Sequence, residues 1–305
     1  MKIERGGRIV AVVVTRNRRA QLVWCVDCLR RQSSPPEAIV VVDNGSEDDT
    51  AEWLASQADL EVLYQENRGS AAGQASGWRR ALEVGADWVW CMDDDGYPHW
   101  DALGALRQAM GQAGELWLNS MVLDSETRSQ LAFWSAMPLR TFLAQGELVE
   151  HASPFNGTLL HRTLIEKIGF PCEDLFIWGD ETEYLRRAQA VGVKPITVTR
   201  SIFFHPKSRT DVPLWMLSPA EYERHYFRIR NAGARLAPDG RVMLNAREAR
   251  SRAVHDLRIL ARELWQGPIR AWSWSLRKAW IAFQAARAAY RNQVGYRRLG
   301  GRGRL

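Results

Sequence analysis

The stretch IVAVVVT, residues 9–15, is apolar almost throughout and rich in β-branched residues, as expected for a strand that is covered on both faces. Two further runs share this character, AIVVVDN at 38–44 and DWVWCMDD at 87–94, and a shorter run, EVLYQ, lies at 61–65. Continuous apolar runs, as opposed to alternating ones, are typical of parallel strands between two layers of helices. The stretch therefore predicts the first strand of a parallel sheet.

Helical patterns separate these four runs, and they lie at 19–32, 46–57 and 70–85. Strands that alternate with helices of this length predict a doubly wound α/β fold. After this part the pattern becomes less regular. We predict helices at 162–169 and 180–191, a strand at 193–199, and mostly helix beyond about residue 215.

The net charge of +6 conceals an uneven distribution of charge along the chain. Residues 241–305 contain 15 Lys and Arg against 3 Asp and Glu, whereas the remainder contains 26 basic and 32 acidic residues. We therefore predict two regions, a catalytic α/β domain over residues 1–215 and a helical, basic region over residues 216–305. A basic region of this kind favours an anionic partner.

The sequence also indicates a compartment. Its four cysteines, with no signal-peptide pattern, are typical of free thiols in a reducing environment. No uncharged apolar run approaches the roughly 18–20 residues that a membrane-spanning helix needs. We therefore expect a cytoplasmic protein that is at most peripheral to a membrane.

Polar residues follow each of the four predicted strands. They are Thr15, Arg16 and Asn17 after the first, Asp43 to Ser46 after the second, Asn67 to Gly69 after the third, and Asp93, Asp94 and Asp95 after the fourth. In open α/β sheets ligands bind beyond the carboxyl ends of the strands, so these residues predict one binding site. The turns contain neither the glycine pattern of dinucleotide-binding enzymes nor that of P-loop enzymes, which argues against both classes.

Three consecutive aspartates repel one another and need a positive charge nearby. Carboxylate oxygens suit Mg²⁺ or Mn²⁺, which commonly keep coordination positions for water and for a substrate phosphate. The triplet therefore predicts a divalent metal ion that binds a diphosphate. The alternative, an acidic helix start or a solvated loop, would explain the triplet alone but not the polar ends of the three neighbouring strands.

A second group of polar residues lies in LFIWGDETEYLRRA, residues 175–188, and in FFHP, residues 203–206. Asp180, Glu181 and Glu183 fall at the predicted start of a helix, where a carboxylate can act as a general base towards a hydroxyl. His205 follows an apolar run and could complete the ligand set of the metal. The alternative for His205 is a purely structural role.

Seven segments, taken in order along the chain, resemble family 2 glycosyltransferases of the GT-A fold. They are VVVTRNR, IVVVDNGSEDDT, ENRGSAAG, WVWCMDDDGYP, NGTLL, FIWGDETEY and FFHP. The resemblance covers roughly residues 8–210 and is closest to the bacterial branch of galactofuranosyl- and rhamnosyltransferases. It implies a GT-A catalytic domain and an enzyme that builds a bacterial cell-surface glycan.

The resemblance also implies a role for each polar strand end. Asp93 and Asp95 would bind the metal ion and the diphosphate of a nucleotide sugar, with Asp94 near the ribose and His205 as a further metal ligand. Asp43 would contact the base. The remaining residues of the predicted donor site are Thr15, Arg16, Asn17, Asn67 and Gly69.

On the acceptor side, the resemblance places the catalytic base at Glu181. The family more often has Asp at this position, so Asp180 remains the alternative. Trp178 resembles an acceptor platform, with core packing as the alternative, and Asn156 and Gly157 resemble the segment that borders the donor sugar and the acceptor. The implied mechanism is a single inverting displacement without a covalent sugar–enzyme intermediate.

The resemblance favours UDP-galactofuranose as the donor, with dTDP-rhamnose as the alternative and a lipid-linked or polysaccharide acceptor. Two other classes of function remain open at this point. A nucleotidyltransferase would also use carboxylates and Mg²⁺ on an α/β fold, and a non-catalytic membrane adaptor could retain the same fold.

The basic C-terminal segment 263–293 interleaves aromatic residues with arginines. The aromatic residues are Trp265, Trp272, Trp274, Trp280 and Phe283. Basic helices that carry tryptophan favour an anionic membrane interface, so we expect peripheral binding at the inner face of the cytoplasmic membrane. The alternative is that the aromatic face packs on the catalytic domain. No nucleic-acid partner is expected, because no known nucleic-acid-binding motif is present.

Overall fold

The computed structural model describes residues 6–110, 115–133, 138–207, 214, 217–237, 239–266 and 272–293, without the side chains of 219–221, 263–266 and 272–274. The chain divides into two compact units, each described by itself. The first consists of Met1–Phe170 and Arg187–Ser208, and the second of Pro171–Arg186 and Arg209–Leu305. The predicted domain boundary at residue 215 stays a prediction.

The first unit alternates strands and helices in its first half, as predicted. Its elements begin with β1 (Ile9–Thr15), α1 (Arg19–Arg30), β2 (Ala38–Asp43), α2 (Thr50–Ala55), β3 (Leu60–Tyr64), α3 (Ser70–Glu83) and β4 (Trp88–Asp93). They continue with β5 (Tyr97–Pro98), α4 (Ala102–Ala109), β6 (Trp117–Asp124), α5 (Leu139–Leu143), β7 (Leu148–Glu150), β8 (Thr158–His161) and α6 (Arg162–Ile168). Helix α7 (Asp180–Ala190) begins in the second unit, and β9 (Ile196–His205) is the last strand of the first.

The strands of the first unit form one mixed sheet in the order β3-β2-β1-β4-β8-β6-β9-β5, with β7 paired to β9. The first four strands pair in parallel, as the apolar runs predicted. Strand β8 is antiparallel to both β4 and β6. The predicted strand at 193–199 begins later and extends to His205, so FFHP contributes to the end of a strand and not to the loop after it.

The apolar pattern of β1 results from packing on both of its faces. All seven residues of the strand are buried, and the fully buried Trp88 and Trp90 of β4 belong to the same core. Helix α3 lies against this layer at close range, because a Cβ atom at Gly73 would come within 2.5 Å of Cγ1 of Val14. A Cβ atom at Gly77 would overlap Cγ1 of Val12. The two glycines therefore allow the helix to approach the sheet.

The second unit is mainly helical. It contains the start of α7, α8 (Pro219–Arg230), α9 (Ala246–Gln266) and α10 (Trp272–Tyr290), together with two short strands, β10 (Arg235–Leu236) and β11 (Val242–Met243). The two strands form an antiparallel pair that the sequence did not predict. The core of the second unit includes Tyr222, Phe227, Leu260, Ile281 and Ala285. Among the described helices, none is both long enough and apolar enough to span a bilayer.

We predict that Gly77→Ala lowers the free energy of unfolding, although alanine is the better helix former by about 1 kcal/mol. The added methyl group must displace Val12 in a fully packed layer, and overpacking of this kind costs about 1–3 kcal/mol. Urea unfolding of the variant and the wild type measures the difference. Ser76→Ala is the matched control, since its half-exposed side chain lies one position earlier in the same helix. A Gly77→Ala protein as stable as this control would contradict the close packing.

Candidate active site

The ends of the parallel strands bring the predicted donor-site residues to one edge of the sheet. In the register of the sheet, Thr15 lies beside Asp43, and Val14 lies beside Asp93. Thr15 donates a hydrogen bond of 2.7 Å from its hydroxyl group to Asp94, whose residue surface is only 3% exposed. Burial raises the pKa of Asp94 to about 6, although Arg18 and the Thr15 hydrogen bond act in the opposite direction.

Arg18, to which the sequence pattern gave no role, contacts two aspartates of the triplet. Its Nη1 atom lies 3.0 Å from Asp94 and 2.5 Å from Asp95. Burial disfavours the guanidinium cation, but the two carboxylates outweigh this effect and raise the pKa of Arg18. The only sequence signal was the second arginine in TRNR, three residues after the end of β1. Arg18 thus supplies part of the positive charge that the triplet requires.

Asp93, Asp95 and His205 form a group that could hold a metal ion. One ligand atom from each lies within 4.8 Å of the other two, and Nε2 of His205 is 3.1 Å from Oδ1 of Asp95. Burial disfavours ionisation of Asp95, but contacts with His205 and Arg18 prevail and lower its pKa to about 2. Burial also disfavours the charged form of His205. The interaction with Asp95 prevails, however, and raises the pKa of His205.

The ligand atoms of this group suit Mg²⁺ or Mn²⁺. Two carboxylates and one imidazole provide oxygen and nitrogen ligands and leave coordination positions for water and phosphate. Nδ1 of His205 lies 2.6 Å from the carbonyl oxygen of Pro206, which can only accept a hydrogen bond. In the neutral imidazole the proton therefore lies on Nδ1, and Nε2 keeps the lone pair that a metal ligand needs.

Asn156, two residues before β8, holds Asp93. Its side-chain oxygen accepts a 3.1 Å hydrogen bond from the backbone N–H of Asp93, and its amide group donates one of 3.3 Å to the carboxylate. Asn156 is buried, and Gly157 has a positive φ of 69° beside Phe203. These two residues, predicted to border the acceptor, therefore lie directly against the candidate metal group.

The other donor-site residues lie in loops that are joined by side-chain hydrogen bonds. The side-chain oxygen of Asn17 accepts a 2.6 Å hydrogen bond from the N–H of Glu47, and Arg16 donates one of 3.3 Å to the carbonyl of Gly45. Asn44, which the sequence analysis did not single out, is buried and donates a 3.0 Å hydrogen bond to the carbonyl of Gly69. Three successive strand ends are thereby connected.

The residues predicted to bind the nucleoside also have hydrogen-bond partners. Asp43 is buried and accepts a 2.9 Å hydrogen bond from the backbone N–H of Ser46. Asn67 accepts one of 3.1 Å from the N–H of Gly69, which begins helix α3 with a positive φ of 85°. The loops after β2 and β3 are therefore held in defined positions at the edge where Asp94 lies.

The two candidates for the catalytic base and the predicted acceptor platform, Trp178, belong to the second unit. Asp180 and Glu183 are almost completely buried at the start of α7, whereas Glu181 between them is half-buried. Trp178, two residues before the helix, is also half-buried and makes an edge-to-face contact with His225, with a centroid distance of 5.6 Å. Of the three carboxylates, Glu181 is therefore the one with part of its surface open to solvent.

The chain matches the model of glycosyl transferase family 2 over residues 10–169. It is 33% identical over 261 residues to the galactofuranosyltransferase GlfT1 of Mycobacterium tuberculosis, covering 79% of this chain and 86% of that protein. It is 30% identical over 253 residues to GlfT1 of Mycolicibacterium smegmatis, covering 76% of this chain and 84% of that protein. The family model spans all four parallel strands, apart from the first residue of β1, and the polar residues that follow them.

Solved glycosyltransferases share the fold at low sequence identity. A mannosyltransferase from Pyrobaculum calidifontis in complex with GDP-Man and Mn²⁺ superposes with a TM-score of 0.53 and 17% identity, over 95% of this chain and 90% of that one. S. aureus TarS 1–349 in complex with UDP gives a TM-score of 0.51 and 11% identity, over 94% and 92%. The predicted α/β GT-A fold is therefore confirmed, and the nucleotidyltransferase and adaptor alternatives lose their support. The chain belongs to glycosyltransferase family 2 and is a glycosyltransferase.

Proposed function

We propose that the protein is a metal-dependent, inverting galactofuranosyltransferase of bacterial cell-surface glycan synthesis. The observation that carries the proposal is the convergence of Asp93, Asp95 and His205 at the strand ends, beside the buried pair of Thr15 and Asp94. The donor is UDP-galactofuranose, which the names of the relatives in mycobacteria favour over dTDP-rhamnose. The acceptor is a hydroxyl group of a lipid-linked sugar or a growing polysaccharide.

In this proposal Asp93, Asp95 and His205 hold Mn²⁺ or Mg²⁺. When bound, such an ion offsets the negative charge that develops on the leaving diphosphate. Arg18 lies next to the same carboxylates and contributes a second positive charge on the diphosphate side. Thr15 keeps Asp94 in place, while Asp43 and Asn67 take the nucleoside. The loops that carry these residues are already joined by side-chain hydrogen bonds, so little ordering is needed when the donor binds.

Glu181 is the proposed general base, with Asp180 as the alternative. It takes the proton of the acceptor hydroxyl while the hydroxyl oxygen forms a bond to the anomeric carbon of the sugar. The bond between that carbon and the diphosphate oxygen breaks, and UDP leaves with the electron pair. A single displacement of this kind inverts the anomeric configuration. Trp178, at the same turn, is the proposed platform for the acceptor sugar.

The proposal also includes contact with an anionic membrane surface. The exposed side of α10 would make this contact. Leu276, Trp280, Phe283 and Tyr290 lie along one side of this helix and are 65%, 59%, 52% and 81% exposed. The opposite side packs its alanines into the core of the second unit. Trp280 and Phe283 are therefore exposed, which supports a contact with a membrane surface. Of the other predicted aromatics, Trp265, Trp272 and Trp274 have side chains outside the described part of the chain.

The charge around this face fits an anionic surface. Arg277, Arg287 and Arg291 are exposed on or just after α10, and the helix contains no acidic residue. A tryptophan and a phenylalanine among arginines suit the boundary between lipid headgroups and acyl chains. Each arginine near such a surface contributes about 1 kcal/mol. Contact with the inner face of the cytoplasmic membrane would bring the enzyme to a lipid-linked acceptor.

The metal assignment predicts that Asp95→Asn abolishes Mn²⁺-dependent stabilisation by UDP and lowers kcat/KM by at least about 10²-fold, since a divalent ion supplies several kcal/mol. Thermal unfolding with and without Mn²⁺ and UDP measures the first effect, and release of UDP from UDP-galactofuranose measures the second. Asp59→Asn is the control, because Asp59 also pairs with an arginine, Arg30, but lies outside the ligand group. Equal metal dependence in the two variants would reject the assignment.

The base assignment predicts that Glu181→Gln lowers kcat by about 10²–10⁴-fold, which is the usual contribution of general base catalysis. The Kd for UDP in the presence of Mn²⁺ should stay within about twofold, because the change removes a proton acceptor and keeps the shape of the side chain. Asp180→Asn, measured in parallel, separates the two candidates. If Asp180→Asn loses turnover and Glu181→Gln does not, the base is Asp180.

The membrane assignment predicts that the double variant Trp280→Ala/Phe283→Ala binds vesicles of phosphatidylcholine and phosphatidylglycerol about tenfold more weakly than the wild type. Co-sedimentation measures the bound fraction, and vesicles of phosphatidylcholine alone should bind little. Trp100→Ala provides a matched control, because Trp100 is 61% exposed in the first unit. Unchanged binding of the double variant to the vesicles would reject the membrane surface. It would also be rejected if the wild type is a dimer and the double variant is a monomer, since a second copy of the chain would then cover this face.

A further inference from the structure

The turn that leads into α7 has an unusual backbone. Phe176 and Trp178 have positive φ angles of 67° and 58°, and Gly179 has one of 102°. Glycine adopts this region readily, but for bulky aromatic residues it is a strained conformation that surrounding contacts must enforce. The turn carries Trp178 and immediately precedes Asp180 and Glu181. Side chains at the end of α8 hold this turn.

The side chain of Asn231, just after α8, donates to three carbonyl groups of this turn. Its Nδ2 atom lies 2.8 Å from the oxygen of Leu175, 3.1 Å from that of Ile177 and 2.7 Å from that of Trp178. Carbonyl oxygens can only accept, so these partners fix the orientation of the amide group. One side chain thus holds the backbone on both sides of Ile177.

Arg230 reinforces this contact from the preceding position. Its Nε atom donates a 2.8 Å hydrogen bond to the side-chain oxygen of Asn231, and its Nη2 atom lies 3.1 Å from the carbonyl oxygens of Asp174 and Leu175. Arg230 is fully buried, and its guanidinium group lies 5.0 Å from the ring centroid of Phe227. Such a buried side chain has few alternative rotamers, so Asn231 is held in the orientation that its three acceptors require.

The contact extends to the start of the helix through Gly179. A Cβ atom at this position would lie 2.9 Å from Cβ of Asn231, so only glycine permits the approach. The carbonyl of Gly179 in turn accepts a 2.9 Å hydrogen bond from the N–H of Glu183 in the first turn of α7. Asn231, Gly179 and the acidic start of the helix therefore form one continuous hydrogen-bonded and packed path.

We propose that Arg230 and Asn231 are positioning residues for glycosyl transfer, which fix the direction in which Trp178 and Glu181 are presented. The inference rests on the proposed function, in which Glu181 accepts the proton of the acceptor. Without the three carbonyl contacts, the strained angles at Phe176 and Trp178 relax, and the start of α7 shifts. A displacement of about 1 Å in a catalytic group can lower a rate by about 10²-fold.

Asn231→Asp tests the inference. The carboxylate keeps the size of the side chain and the contact with Arg230, but it replaces the donor to three carbonyls with an acceptor. We expect kcat to fall by about 10²-fold, with the KM for UDP-galactofuranose within about twofold. Hydrogen exchange of the amides of residues 175–184 should accelerate, while that of β1 stays unchanged. Gly179→Ala, which crowds the same contact from the other side, should have the same two effects, and Arg230→Lys should have weaker ones.

Leu260→Ala controls for a merely structural effect. Leu260 is buried in the core of the same unit, on α9, and its apolar side chain makes no hydrogen bond to the turn, so its truncation destabilises the unit and keeps the carbonyl contacts of Asn231. The kcat of each variant is expressed per site that binds UDP. If this kcat falls no further in Asn231→Asp than in Leu260→Ala, the positioning role is rejected. It is also rejected if exchange at 175–184 does not change. A fully active Glu181→Gln variant would reject the proposed base instead, and the exchange and kcat of Asn231→Asp would still decide the positioning role.

Discussion

The concentration of negative charge at the end of β4 is the constraint on which the site depends. Asp94 is buried between Asp93 and Asp95, and a carboxylate in that position is costly to ionise unless cations and hydrogen-bond donors surround it. The protein supplies Thr15 and Arg18 from the end of β1 and His205 from the end of β9. The edge of the sheet is arranged around these three contacts, which come from the ends of two strands far apart in the sequence.

The opposite pKa shifts of Asp94 and Asp95 follow from this arrangement. Both carboxyl groups are removed from water, but Asp95 contacts a histidine and an arginine, whereas the burial of Asp94 outweighs its two partners. The pKa of Asp94 rises to about 6 and that of Asp95 falls to about 2. Neighbouring aspartates thus have different tasks. Asp95 stays ionised, as the proposed metal site requires, and Asp94 holds the hydroxyl of Thr15 at the junction of two strands.

Much of this could be predicted from the sequence, because the signals are local. The apolar runs of β1, β2 and β4 identified parallel strands, and parallel strands place their carboxyl ends together, which located the aspartates, Thr15 and Asp43 at one edge. His205 was a candidate ligand from its place after an apolar run, and the resemblance strengthened that prediction. Arg18 was missed because a charged residue after a strand has no distinctive pattern, and its partners lie 76 and 77 residues away. The extension of β9 was missed because its pairing with β6, and not its own composition, determines where it ends.

Three asparagines have a bridging role that the sequence did not reveal, and they share one chemical property. Asn44, Asn156 and Asn231 are buried, and each uses its amide group to bridge backbone segments that are distant in sequence. A side-chain amide has two N–H donors and a carbonyl acceptor on one uncharged, planar group, which is more donors than a hydroxyl offers. Aspartate would lose the donor, and alanine would leave buried backbone groups without partners, at a cost of about 1–3 kcal/mol each. Loops outside regular structure have unpaired backbone groups of both kinds, so asparagine can hold them where a helix or sheet cannot. The rigidity of the strand-end loops and of the turn before α7 therefore comes from these bridges, and the charged residues obtain their geometry from them.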